Sequence, residues 1–316
     1  MRRRWVALAI AVSTFAGCHR APPVTVEPVR FYVAPGLPGE LVAELARGFR
    51  IASPTLVPRI EDAEVAWLRD PTEALALGVR AVPGSAPEQP RVPEAFLDPQ
   101  RRFAPVGAIA QVIVASTRTP PRFAPDELRE LADARVRGGV AMIPLGRGDG
   151  PLLVAALELA YGARGTNGWL SQLAGNAPLL VETGEEAVAR VAAGKAAVAL
   201  VDSLTAGGQM ARSGLRLVFP DQKAKGCVTI PTALVVLPGA SAAARKFSAW
   251  LAGPETEELL ALRAPGLLPI REAAQAAEGI VPVWKLTALT VKWDALAEGE
   301  EAWSRRLASW PALTRP

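Results

Sequence analysis

From Val26 onward, short apolar runs suited to β-strands alternate with stretches whose apolar residues recur at helical spacing, and few folds satisfy that alternation. Val29–Val33 reads as a strand and Pro38–Phe49 as a helix, with Leu41, Leu45 and Phe49 on one face. Glu64–Leu68 is a short strand, and Pro71–Gly78 a helix opened by proline in its first turn. Prolines at 83, 87, 90, 93, 99 and 105 make residues 82–105 an irregular connection rather than a core element. Ala108–Ala115 is a strongly apolar strand.

A second block repeats the pattern. Pro125–Ala134 reads as helical, Gly139–Ile143 as a strand, and Pro151–Tyr161 and Asn167–Leu173 as helices. Leu179–Glu182 is a strand, and Thr183–Ala193 a helix with a capping box at Thr183 and Glu186. Strands are expected at Ala197–Val201, Leu215–Phe219 and Val228–Leu237, the last interrupted by Pro231, before helices Ala243–Leu251 and Pro254–Leu262. The tail from Val283 to Trp310 holds four of the eight tryptophans, and their spacing buries them against the body of the protein. The alternation predicts an α/β fold, mainly parallel sheets with helices on both faces. The 316 residues suffice for two lobes, each with its own core.

The N-terminus reads differently. Arg2, Arg3 and Arg4 precede an apolar run from Trp5 to Phe15, then Ala16-Gly17-Cys18, the layout of a secretory signal peptide over residues 1–17. Phe15-Ala16-Gly17-Cys18 resembles a bacterial lipobox, which makes Cys18 the expected lipidation site and residues 18–28 a proline-containing tether. An ordinary secreted protein with a chance cysteine is the alternative. Acylation of Cys18 would leave Cys227 as the one free thiol. The formal charge of +4 is largely the signal's: without it, 32 basic residues face 31 acidic ones. Such a near-neutral body argues against a nucleic-acid partner.

The single histidine, His19, falls in that tether. A Ser-His-Asp triad, a Cys-His dyad and His-based zinc or iron sites are therefore excluded from the folded body, while carboxylate, lysine or tyrosine chemistry stays open. The most informative local pattern is the strand Val140–Ile143, the turn Leu145-Gly146-Arg147-Gly148-Asp149-Gly150 and the helix from Pro151. A helix N-terminus of this kind suits an anion or carboxylate. It lacks the Gly-Lys-Ser/Thr of a P-loop and the full Gly-x-Gly-x-x-Gly spacing. Asp149 opposes an anion unless it caps the helix or meets a cation, and a tight turn capped by Asp149 or Gly150 is the alternative. The acid pairs Glu185-Glu186, Glu257-Glu258 and Glu300-Glu301 read as solvated helix faces or first-turn dipole partners.

An ordered set of segments resembles one family. These include Trp67-Leu68-Arg69-Asp70-Pro71, Phe96-Leu97-Asp98-Pro99 with Phe103, Gly138-Gly139-Val140-Ala141 and Val188 to Val198. They continue with Phe219-Pro220-Asp221-Gln222, Ile230-Pro231-Thr232-Ala233, Pro238 through Trp250-Leu251, and Leu268-Pro269-Ile270-Arg271. The set, covering roughly residues 29–310, resembles the iron(III)-type, family 1 extracellular solute-binding proteins of ABC importers.

The resemblance implies a type II periplasmic binding protein fold, with two α/β lobes and two hinge crossings, here near Val114–Arg118 and Phe219–Val228. Lobe 1 would comprise residues 29–115 and 228–275, lobe 2 residues 116–227, and residues 276–316 a helical segment packed on both. Lys223 and Lys225 would flank the second crossing and be solvated. The expected protein is a monomeric, membrane-anchored receptor on the periplasmic side. It would close on a small molecule or ion and serve an ABC permease, with no cofactor, no resident metal and no catalytic activity.

The sequence departs from that family at its ligand-facing positions. Iron-carrying relatives use an adjacent tyrosine pair, whereas the only tyrosines here are Tyr32 and Tyr161. Where close relatives carry Thr-Asp-Thr-Asp-Asp-Ala, this chain reads Asp202-Ser203-Leu204-Thr205-Ala206 after Val201. Leu68 and Arg69 replace small polar residues, and Ile109 stands where the first hinge strand usually carries arginine. The candidate ligand residues are Arg69, Asp70, Gly148, Asp149, Gly150, Asp202 and Ser203. A capped turn is the alternative for Asp202, and a local salt bridge the alternative for Arg69 with Asp70. Besides a transport receptor, the changed positions admit a degenerate homologue acting as an envelope sensor or interaction lipoprotein. A carboxylate-dependent hydrolase would require two apposed acids in one closed pocket.

Overall fold

Two long buried strands, side by side in the middle of one sheet, organise the molecule. The computed structural model describes residues 26–76, 84–119, 125–210, 214–289 and 291–310. The expected signal peptide, Cys18 and most of the expected tether lie outside the described residues.

In chain order the first half contains β1 (Pro28–Val33), α1 (Gly39–Gly48), β2 (Ser53–Leu56), β3 (Val65–Leu68), α2 (Pro71–Ala76) and β4 (Ala104–Ser116). Next come β5 (Val140–Met142), α3 (Gly150–Gly175), β6 (Leu179–Leu180), α4 (Gly184–Ala192), β7 (Val198–Asp202), α5 (Ser203–Gln209) and β8 (Leu215–Val218). The chain continues through β9 (Cys227–Val236), α6 (Ala242–Leu251), α7 (Pro254–Arg263), β10 (Ala288–Leu289) and α8 (Trp293–Leu307). The strand order is β2-β1-β3-β9-β4-β7-β5-β6, with β10 beside β9 and β8 beside β4.

The sheet is mixed. β1, β2 and β3 are mutually parallel, as are β5, β6 and β7, but β4 and β9 run antiparallel between the two groups. Residues Ala104–Ala110 of β4 pair with β9, and Gln111–Ser116 pair with β7 and β8. Both strands are apolar on both faces because helices and loops cover each side, as a strand buried twice requires.

Pro231 does not interrupt β9, contrary to the sequence expectation. It sits opposite Ala108, where β4 shifts register. Ala108 gives its N–H to the Leu268 carbonyl and accepts the Leu268 N–H, both at 2.8 Å, so the missing proline donor leaves no partner wanting. Trp67 ties the same region together. Its indole Nε1 donates to Thr232 Oγ1 at 2.8 Å, and that hydroxyl donates to the Val106 carbonyl at 2.5 Å. A buried tryptophan needs such a partner for its N–H.

Other elements adjust the reading. Pro125–Ala134 contains short 3-10 turns rather than an α-helix. The two helices read at 151–161 and 167–173 are halves of α3, broken at Gly162, whose φ of 77° and ψ of 161° are not helical. Thr183 caps α4 through the Glu186 N–H, but the Glu186 carboxylate reaches the N–H of Glu182 instead of closing the box. In the tail, Trp293, Trp303 and Trp310 are buried while Trp284 is exposed. Trp303 Nε1 donates to Glu158 at 2.5 Å, fixing α8 on α3.

Glu257 is not on a solvated face. It is buried beside Arg271, which pairs with it through Nη1 and also donates to the Ala252 carbonyl (2.6 Å) and Gln89 (2.5 Å). The Glu257 carboxylate further accepts the backbone N–H groups of Ile270 and Arg271. The pair clamps the segment bearing Leu268 against α7. Removing one member strands a buried charge, so Arg271→Ala should cost about 3–5 kcal/mol in urea unfolding. Loss of less than about 1 kcal/mol would contradict this role of the pair.

Candidate functional site

The carboxyl ends of β3, β5 and β7 converge, and each delivers a charged residue into one crevice. Open α/β sheets bind ligands at such strand ends because loops and helix N-termini leave polar groups there without regular partners. Arg69 and Asp70 follow β3, Asp149 follows β5, and Asp202 ends β7. The resulting cavity, about 330 Å³, is also lined by Glu73 from α2, Glu300 from α8, Gly148 and Leu152.

Arg69 spans the crevice. Its Nε and Nη2 donate to the two Asp149 carboxylate oxygens at 3.2 and 2.7 Å, and Nη2 lies 3.9 Å from Asp202 Oδ2. It therefore does not pair locally with Asp70. Desolvation works against the guanidinium charge, but Asp149, Asp202 and Asp70 outweigh it and hold Arg69 protonated. Asp149 makes no side-chain cap on α3, so its carboxylate is free to meet this cation. The forked geometry is the strong form of an ion pair.

Asp202 does two things at once. It caps α5, accepting from the Thr205 N–H at 2.9 Å and Thr205 Oγ1 at 2.7 Å, and it lines the crevice. Asp70 caps α2, accepting from Thr72 N–H, Thr72 Oγ1 and Glu73 N–H at 2.7, 2.5 and 3.1 Å. Burial raises its carboxyl above the usual range despite those hydrogen bonds.

Sequence patterns place neither Glu73 nor Glu300 at a site, and the Glu300-Glu301 pair reads as a solvated helix face or a first-turn dipole partner. Thr72 Oγ1 is also hydrogen-bonded to Glu300, which brings α8 to the crevice mouth. Desolvation, then repulsion from Asp70 and Glu300, pushes Glu73 up to about 7. Desolvation and the neighbouring Asp70 and Asp149 raise Glu300 as well. The two acids reach the site from helices remote in sequence, a juxtaposition no local motif encodes.

The glycines serve the turn. A Cβ on Gly150 would collide with the Leu145 carbonyl, so the chain can enter α3 this tightly only with glycine there. Gly148 has φ +55° and faces the cavity. Arg147 reaches outward instead, to Glu182 at 2.8 Å between exposed side chains. The tyrosines stand apart: Tyr32 belongs to β1, and Tyr161 lines a different cavity. Among the described residues, no group of three or more His, Cys, Asp or Glu is arranged to hold a metal ion. Cys227 is buried, and burial pushes its thiol up to about 12, which leaves it unreactive.

Ser203 does not face the crevice, a correction to the candidate set. It is fully buried; its Oγ donates to the Gly266 carbonyl at 2.6 Å and accepts the Ala110 N–H at 3.0 Å. It thus pins α5 to β4 and to the loop before Leu268. Ser203→Ala leaves both backbone groups unpaired and should cost about 1–3 kcal/mol in denaturant unfolding. Solute affinity should stay within about twofold, because no ligand-facing atom is removed.

Residues 83–262, more than half of the chain, match the family described as bacterial extracellular solute-binding protein. No curated protein sequence matches the chain. Apo FutA2 from Synechocystis PCC6803 superposes with a TM-score of 0.74 at 18% identity, over 90% of this chain and 98% of its own. The apo ferric ion-binding protein A of Pasteurella haemolytica gives 0.74 at 18%, covering 90% and 100%. Iron-bound HitA from Pseudomonas aeruginosa gives 0.72 at 16%, covering 89% and 99%. At this identity the likeness establishes the two-lobed periplasmic binding fold. Together with the matched sequence, it means that the chain belongs to the bacterial extracellular solute-binding protein family.

Proposed function

We propose that this protein is the substrate-binding component of an ABC importer, and that it captures a small cationic solute between its lobes. The observation that carries the reading is the crevice: five carboxyl groups and one arginine, drawn from both halves of the sheet, line a cavity of about 330 Å³. That volume lies at the small end of ligand pockets, which run from about 300 to 1,000 Å³. The charge balance favours a protonated amine or guanidinium, with Asp149 and Asp202 as its partners and Arg69 as the internal cation it displaces. The separated tyrosines argue against bare ferric ion as cargo.

Lobe 1 is taken as residues 29–115 with 228–275, and lobe 2 as 116–227. Closure would bend β4 and the connection before β9. The exchange of β4's partners at Ala110–Gln111 supports a bend a few residues before Val114–Arg118. Arg69 in lobe 1 and Asp149 in lobe 2 would hold the lobes together without solute, and a solute touching both would replace that contact. The same contact favours a second reading, a degenerate homologue whose lobes stay latched and which serves as an envelope sensor. An acylated Cys18 would tether either protein to the membrane, on the periplasmic side and within reach of a permease. Cys18→Ser should then release the protein from the membrane fraction after detergent-free lysis; unchanged membrane association would remove the anchor from the proposal.

A thermal-shift series with putrescine, agmatine, ferric citrate and phosphonoacetate separates the readings. Agmatine or putrescine at saturation should raise the melting temperature by several degrees, since binding to the folded state alone stabilises it. Asp149→Asn and Asp202→Asn should abolish that gain. A shift with phosphonoacetate or ferric citrate alone would overturn the cationic assignment, and silence across the series would favour the latched homologue.

Glu73 adds a pH dependence. Its folded value lies above the unfolded one, so its contribution to stability is fully present below the ordinary carboxylate range and is lost as pH rises through about 7. A bound cation favours the ionised form, so affinity should rise across the same window. Titration calorimetry with agmatine on the wild type and on Glu73→Gln would test this; the variant should show a flattened profile.

A further inference from the structure

A second cavity, of about 470 Å³, lies away from the crevice and shares no lining residue with it. It opens where α3 breaks at Gly162, between the two halves of that helix. Leu157 and Tyr161 from the first half, and Thr166 and Trp169 from the second, form its walls with Leu128 and Asp221. Asp221 is carried on the loop between β8 and β9.

Two polar groups here are buried without adequate partners. Thr166 is 2% exposed, and its Oγ1 has no hydrogen-bond partner. Asp221 is 5% exposed, and its carboxylate accepts one hydrogen bond among the described residues, a long 3.4 Å contact from the Leu128 N–H. Arg129, the basic residue that bears on Asp221, is mostly exposed and paired with Glu127. Lys223 at the rim is exposed. Buried polar groups are normally satisfied, and a carboxylate with spare acceptor capacity in a desolvated pocket attracts a donor cation.

The walls are built, not accidental. Trp169 Nε1 donates to the Leu128 carbonyl at 3.0 Å, so the residue that meets Asp221 through its N–H also fixes the indole through its C=O. The Asp221 backbone is held by its N–H to the Asp126 carbonyl, and its own carbonyl accepts from Ala224 and Gly226. Asp221 adopts φ +60°, a left-handed conformation kept by this turn.

We infer that this cavity is a second binding site, for a small primary amine carrying a flat apolar body. The ammonium would meet the Asp221 carboxylate, and the apolar part would lie against Trp169, Leu157 and Tyr161. Aromatic walls around a buried acid, with Glu127 also on the lining, suit such a ligand through burial and cation–π attraction together. The site stands independently of the crevice and of what the crevice binds.

Calorimetry with phenethylamine, against its neutral isostere 2-phenylethanol, tests the inference. Phenethylamine should bind saturably, and more tightly than the alcohol. Asp221→Asn should weaken it by about tenfold or more, because a charged partner is lost. Asparagine tolerates the left-handed backbone at this position, which preserves the turn. Thr166→Leu, which fills the cavity from the helix, should weaken binding equally and provides the decision if the first variant fails to fold. Asp202→Asn in the crevice should leave the affinity unchanged. No saturable binding, equal binding of the alcohol, or unchanged affinity in both cavity variants would overturn the assignment; loss of binding in Asp202→Asn would assign the ligand to the crevice instead.

Discussion

The antiparallel pairing of β4 with β9 is the constraint on which the rest of the structure depends. Each strand passes between two sets of parallel strands, so the chain leaves and re-enters the first half of the sheet along this pair. The region tolerates a proline because Ala108 turns its hydrogen bonds to Leu268. Leu268 is in turn held in place by the buried Glu257–Arg271 pair next to it in the chain. Trp67, Thr232 and the Val106 carbonyl lock β3 to the same seam. A chain of polar contacts inside an apolar core thus fixes the orientation in which three strand ends meet.

The crevice follows from that orientation. Strands β3, β5 and β7 all end at it, β3 running opposite to the other two, and each leads into a helix whose first turn needs acceptors. Asp70 and Asp202 supply them by capping α2 and α5. Capping holds these carboxylates rigidly, and rigid charges bind or repel more effectively than mobile ones. Asp149 is the exception, because it leaves its helix uncapped and faces Arg69. Structural and functional readings of these acids are therefore not exclusive: the cap is what aims the side chain.

The same physical logic separates the acids that sequence patterns group together. Glu257-Glu258 and Glu300-Glu301 look alike as pairs on helices. Glu257 is buried because Arg271, brought in by the loop after α7, neutralises it. Glu300 is half-buried because α8 packs on α2, where Thr72 meets it. Neither partner is near in sequence, so helical spacing alone predicts solvent for both. Lys223, in contrast, is exposed, as its loop position suggests.

Hydrophobic periodicity and turn chemistry determined much of the α/β order, because those signals are local: β1, α1, β3, β7 and α6 fall within a few residues of where the pattern put them. The ordered segments also carried the family, and Arg69, Asp70, Asp149 and Asp202 were legible as residues ending strands. Tertiary structure alone decided that Arg69 pairs with Asp149 eighty residues away, that Ser203 faces inward, and that Glu73 and Glu300 complete the crevice. It alone decided that one helix would break at Gly162 and open a second cavity beside Asp221. The reason is range: a strand or cap is set by neighbours within about four residues, whereas a site is set by which chain segments the core forces together.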